Sequence, residues 1–193
     1  MGTITLDRVI FEISPDEMAD NPRHWDNLGT MVCWHRRYRL GDQHTYATPQ
    51  AFAEAIPPDE IITLPLYLFD HSGLALSTSS ESFRACDPVG WDWGQVGYIY
   101  VSLTDVRREY SVKRISRQLR TRVLSVLRCE VEVYDMYLRG EVYAYTLTDR
   151  QTGEILDSCC GFFGDNPQTN GMADYLPDQY RDTILSYFHR GAA

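Results

Sequence analysis

Residues 112–139 read VKRISRQLRTRVLSVLRCEVEVYDMYLR, and the spacing of their apolar positions decides the fold class. Val112, Ile115, Leu119, Val123, Val126, Leu127, Val131, Tyr134 and Leu138 recur at intervals of three, four and seven, which lines one face of an α-helix. Arg114, Arg117, Arg128, Glu132 and Asp135 fall toward the other side. Gly140 follows as a natural left-handed stop. Uninterrupted, such a helix runs roughly 42 Å at 1.5 Å per residue. That is long for this chain, which leaves a bend, a break near Tyr110-Ser111 or a projecting end as the ways to fit it.

Working outward, the flanks read as strands. EVYAYTLTD and EILDSCCGFF, joined by Arg150-Gln151-Thr152-Gly153, predict a hairpin. VGYIYVS (96–102) is a strand, and Thr104-Asp105 opens a helix after it. IITLPLYLF (61–69) is a strand whose Pro65 points to an edge or a bulge. A turn at 70–73 leads it into LALSTSS (74–80). Residues 3–13 alternate as an opening strand, and 29–40 read as a second. Thr48 caps a short helix with Pro49 in its first position, and Pro57-Pro58 ends it. Residues 81–95 read as a tryptophan-rich loop, and 173–189 as a terminal helix. Short connections favour antiparallel pairing. The expectation is one α+β domain over 1–193. In it an antiparallel sheet carries the long amphipathic helix and the C-terminal helix on one face.

A chain of 193 residues that is 44% hydrophobic and 23% charged can bury a core without disulfides. Asp7, Glu12, Asp16 and Glu17 interrupt any secretory leader, and no window has the 18 apolar residues of a membrane span. The expectation is no membrane. Five cysteines, two of them adjacent, read as reduced thiols in the host-cell cytoplasm. The net charge is −9 and the isoelectric point about 4.9, which opposes contact with free nucleic acid. The charge is uneven. Residues 107–128 hold eight basic residues and only Glu109 against them. Either those arginines pair internally with the acidic excess, or they form a dipolar surface that steers a charged partner.

Three stretches carry a resemblance: NPRHWDNLGTMVCWHRRYRLGD (21–42), WDWGQVGYIYVS (91–102) and EVEVYDMYLRGEVYAYTLTDRQTGEILDSCCGFF (130–163). They resemble a family of small proteins encoded by phages, plasmids and integrative elements. Its pattern reads PRxWDNLGTMxCxHxRYxLGD, WDSGQVGxIYVS and EVExYDxYLxGDVYGF…DSCWGFxG. Trp93, Ala144 and Cys160 depart from it. The resemblance transfers no catalytic residue. It implies a mobile-element accessory protein, a setting in which small acidic proteins act as anti-CRISPR or anti-restriction inhibitors.

Each candidate site has a plainer reading beside it. Cys33 and His35 sit two apart on a predicted strand and so share a face. With Asp26 nearby they could act as a Cys/His nucleophile pair, or be ordinary packed side chains. A metal held by Cys33, His35, His71, Cys159 and Cys160 lacks any CxxC or HxxxH spacing. Neither a metal nor a cofactor is expected, and no glycine motif for a nucleotide occurs. Trp25, Trp34, Trp91 and Trp93, with Tyr98 and Tyr100, could stack bases; as large aromatics they read as core. Arg107, Arg108, Arg114, Arg117 and Arg120 could touch phosphates. Glu130, Glu132, Asp135 and Glu141 could instead offer carboxylates to a partner's arginines. The reading that follows is an acidic, non-enzymatic counter-defence inhibitor, stoichiometric with a host defence complex whose nucleic-acid-binding surface it blocks. A nucleic-acid-binding factor using 107–128 is the alternative, and a Cys/His enzyme the second. A homodimer through the long helix stays open.

Overall fold

The structure, a computed structural model, describes residues 2–189. In chain order the strands are β1 (Gly2–Thr5), β2 (Val9–Pro15), β3 (Thr30–Cys33), β4 (Ile61–Asp70), β5 (Leu74–Ser77), β6 (Trp93–Ser102), β7 (Val142–Asp149) and β8 (Ile155–Phe163). The helices are α1 (Pro49–Ala55), α2 (Glu81–Cys86), α3 (Leu103–Glu109), α4 (Arg117–Leu138), α5 (Met172–Tyr175) and α6 (Asp178–His189). All pairings are antiparallel and divide into two four-stranded sheets, ordered β1-β2-β7-β8 and β3-β6-β4-β5. The α+β class therefore holds, with two sheets where the sequence pattern suggested one. The chain divides into two compact units: a terminal unit, Met1–Asp20 with Gly140–Ala193, and a central unit, Asn21–Arg139.

In the terminal unit the opening segment is a hairpin rather than one strand, because Leu6, Asp7 and Arg8 turn the chain and Leu6 N–H closes on Val9 O at 2.9 Å. β2 then pairs along β7 from Val9↔Asp149 to Pro15↔Tyr143. Alternate residues Val9, Phe11 and Ile13 face inward onto Tyr145, Leu147 and Phe162, as a half-buried strand requires. Met172 on α5, Leu176 just after it and Ile184 on α6 complete that core. The predicted terminal helix is split: Leu176 is extended and Pro177 precedes α6.

The central unit packs α4 over its sheet. Val123, Leu127, Val131 and Tyr134, at the predicted spacing, are buried against Ile62, Leu66, Leu68, Leu76 and Ile99. Leu119 and Leu138 also pack on this core as read, whereas Val126 is not among its residues, and the helix starts five residues later than expected. Ser111 has a left-handed φ of 51°, and Ser116 caps α4 by accepting Leu119 N–H at 3.1 Å. The break is therefore encoded by a second cap inside the apolar repeat. Thr48 caps α1 as predicted, accepting Ala51 N–H at 3.1 Å. Pro65 lies where β4 has β6 on one side and no partner on the other, since β5 pairs only from Tyr67 onward. A register shift follows at Leu66/Tyr67. Residues 81–86, read as loop, form α2. β3 is only four residues long; beyond Cys33 the chain leaves the sheet. Gly97 on β6 sits under β3, and a Cβ there would run into the Val32 carbonyl.

Candidate functional site

Arg23 is 8% exposed and is the one buried charged side chain among the described residues. It follows a proline in a short 3-10 turn, Pro22–His24, whose Asn21 side chain accepts Arg23 N–H at 2.9 Å. Its Nε and Nη2 fork onto Asp42 at 3.0 and 2.8 Å, Nη1 reaches Glu130 at 3.2 Å, and Nη2 also donates to Gly29 O at 2.6 Å. Glu130 in turn accepts Leu28 and Gly29 N–H, and Asp42 accepts Met31 N–H at 2.8 Å. Burial works against the Arg23 charge, but Asp42 and Glu130 outweigh it and hold the guanidinium above its usual range. Two carboxylates on one cation are tolerated because backbone donors satisfy them.

This changes the reading of the acidic candidates. Glu130 is the partner of a buried arginine, not a surface carboxylate. Asp135 accepts Leu76 N–H at 2.6 Å and pairs with Arg139 at 3.5 Å; burial raises its pKa. Glu132 is exposed, and Glu141 is half-buried in the terminal unit. The four do not form one exposed cluster. Sequence reasoning grouped them by type, whereas the helix turns Glu130 and Asp135 inward.

The basic segment behaves oppositely. Arg107, Lys113, Arg114, Arg117, Arg120 and Arg128 are exposed, and none of them has a carboxylate within 4.0 Å among the described residues. Arg108 pairs with Asp105 at 2.6 Å. Arg122 covers the Tyr110 ring at 5.5 Å. The first buried residue of α4 is Val123, so its first turn carries Arg117 and Arg120 in solvent. Near it Tyr110, Arg114, Leu119 and Arg122 line a shallow depression of about 430 Å³. Among the described residues only Arg108 of this segment has a carboxylate within 4.0 Å.

The Cys33/His35 pair is not assembled as a strand. β3 ends at Cys33, so two-residue alternation no longer places His35 on the same face. His35 Nδ1 instead accepts the Arg37 and Tyr38 N–H groups of its own loop, and its ring stacks on Tyr38 at 5.1 Å. Burial pushes the Cys33 thiol up to about 12, so it is neutral near pH 7. Both residues line an open cleft of about 830 Å³ formed by His24 and most of residues 33–44, and Asp26 is not among its walls. Among the described residues no group of three or more His, Cys, Asp or Glu side chains is placed to hold a metal ion.

Residues 34–40 read as strand in the sequence, whereas the structure places them with 41–44 in one loop. It is held by Trp34 Nε1–H donating to Tyr46 O, by a bond between the His44 ring and Cys33 O, and by Gly41 N–H donating to Tyr134. Gly41, at φ 69°, lies so close to Met31 that a Cβ would sit 2.7 Å from its carbonyl oxygen. The tryptophans divide. Trp34 packs in a cluster with Phe52, Tyr98 and Tyr100, while Trp25 and Trp91 are 49% and 84% exposed. Trp91 and Trp93 line a second depression, of about 250 Å³, together with His35, Arg36 and Arg37. Basic residues absent from the sequence neighbourhood of Trp91 and Trp93 are thus supplied by the fold.

Comparison of the chain with protein-family models, with curated proteins and with solved structures gives no match.

Proposed function

We propose that the chain is a non-enzymatic nucleic-acid-binding accessory protein that holds a phosphate backbone on residues 107–128 of its central unit. One observation carries this reading: six cations of that segment are exposed without carboxylate partners among the described residues, while Glu130 and Asp135 close by are turned inward. The whole-chain charge of −9 does not oppose it. The central unit holds 14 basic and 14 acidic residues, and the terminal unit 4 and 13, so the entire excess belongs to the terminal unit. Local cations then act within a screening length of roughly 8 Å at physiological salt. A Cys33 thiol kept neutral by burial supports a binding rather than a nucleophilic role. Gel-shift titration with duplex DNA and RNA tests the proposal. Binding that weakens with salt, at a log–log slope near −0.9 per phosphate neutralised, is expected; absence of binding to both at low salt rejects it.

A second reading keeps the inhibitor of a host defence complex and moves its contact face. The terminal unit's acidic excess is exposed at Glu12, Glu17, Asp20, Glu154 and Asp165, which favours a basic protein surface as partner. In this reading the chain is a mobile-element counter-defence protein. Affinity capture from the host tests it, with enrichment of a nucleic-acid-handling complex that disappears on charge reversal in the terminal unit as the supporting result.

A further inference from the structure

We infer that the cleft of residues 33–44 and the adjoining Trp91 form a binding site for single-stranded nucleic acid, with a base stacked on Trp91 and phosphates at Arg36 and Arg39. The inference rests on the nucleic-acid-binding reading above and assigns that reading a strand preference and a second contact surface. The two depressions adjoin, since His35 and Arg36 line both.

The electrostatics favour an anion. Arg36 and Arg39 are exposed and have no carboxylate partner among the described residues. The acids in the walls are held by partners of this chain: Asp42 by Arg23 at 2.8 Å, Asp70 by Arg37, and Asp92 by the His71 ring at 2.8 Å, a pair that is ionic only with the ring protonated. A ligand phosphate therefore meets two free guanidiniums, whose planar forks suit it.

The shape favours an unpaired base. Trp91 is 84% exposed, and it makes no ring contact among the described residues. Its backbone is nevertheless fixed. Asp87 accepts the Asp92, Gly90 and Val89 N–H groups, and Asp70 N–H donates to Asp92 O at 2.7 Å. The result is a large flat ring held in water beside the cations of a separate loop, 34–44, which Trp34 Nε1–H to Tyr46 O and Gly41 N–H to the Tyr134 hydroxyl hold in place. Such a shelf accepts any base whose π-face is open and offers nothing to a base stacked inside a duplex. Little ordering of the site is needed on binding.

Fluorescence anisotropy on the full chain at low salt decides the matter, using a short labelled homopyrimidine single strand and a duplex of equal length. The wild type is expected to bind the single strand more tightly. Trp91→Ala should weaken it about five-fold or more, leave duplex affinity within about two-fold and leave the circular dichroism spectrum unchanged; Trp91→Phe should restore most of the affinity. Arg36→Ala with Arg39→Ala should reduce the single-strand salt slope by about 0.7 for each phosphate no longer neutralised. Equal affinity for the two probes, or a Trp91→Ala variant that binds both as wild type does, overturns the inference. If Arg117→Ala with Arg120→Ala abolishes duplex binding while Trp91→Ala changes nothing, only this site falls. If the reverse holds, only the role of 107–128 falls. No binding of either probe removes both.

Discussion

The terminal and central units are built alike, each a four-stranded antiparallel sheet with helices, yet they use charge in opposite ways. The terminal unit holds 4 basic and 13 acidic residues, and among its described residues none of them is buried. Its inward polar feature is a hydroxyl: Tyr145 Oη lies 2.8 Å from Asp157 Oδ2 and 2.9 Å from Tyr175 O. The central unit is neutral overall, buries Arg23 between two carboxylates and leaves its other cations in solvent. A whole-chain net charge averages these two patterns and hides both. It argued against contact with polyanions on the strength of carboxylates that lie in the other unit.

The sharpest way to break this contrast is to remove its buried charge. Arg23→Met leaves Asp42 and Glu130 facing each other, and is expected to destabilise the central unit by about 3–5 kcal/mol. Tyr145→Phe in the terminal unit should cost about 1 kcal/mol. Urea denaturation of both variants measures the difference; equal destabilisation would remove the distinction. Next in size is Gly97→Ala. Its Cβ collides with the Val32 carbonyl, so β3 and β6 must part, at about 1–3 kcal/mol, read as a lowered melting temperature. Gly153→Ala, in the terminal unit, meets open space but needs φ 74°, so its smaller cost of about 1–2 kcal/mol is conformational.

Charge reversal separates the units by function. Arg117→Glu with Arg120→Glu is expected to weaken nucleic-acid binding about ten-fold or more and to flatten its salt slope by about 0.9 for each phosphate left without its cation. Glu154→Lys with Asp165→Lys should leave it within about two-fold. The smallest effect is one the units share. Asp87 in the central unit is depressed by the N–H of Asp92, with Gly90, Trp91 and Val89 adding to it. Asp149 in the terminal unit is depressed by Thr152 and Gln151 N–H. A carboxylate with a lowered folded-state pKa contributes stability above its unfolded value of about 3.9 and loses it as pH falls through the folded value. Asp87→Asn and Asp149→Asn should each therefore flatten the acid limb of the melting-temperature profile below about pH 4.

Legibility in the sequence followed the range of the interaction. The apolar face of α4, the Thr48 cap and the β7–β8 hairpin depend on residues a few positions apart, and periodicity or turn chemistry reveals them. The break before α4 was half visible, because Ser116 is an ordinary residue until its hydroxyl is seen accepting Leu119 N–H. The Arg23–Glu130 pair joins residues 107 apart, and no local pattern can announce it. The same holds for Arg36 beside Trp91. Motif reading singled out the stretch 21–42, but the density of apolar and aromatic residues made 34–40 read as strand. Its anchors lie in β3, in Tyr46 and on α4.

The path of the chain has its own consequence for biosynthesis. β2 ends at Pro15 and its partner β7 begins only at Val142. At a translation rate of about 5–20 residues per second, the first hairpin waits roughly 6–25 s for the strand that covers it. Throughout that interval Val9, Phe11 and Ile13 lack their native cover, while the whole sequence of the central unit is emerging behind them. Every residue of the central unit is thus synthesised before the terminal unit can pair β2 with β7.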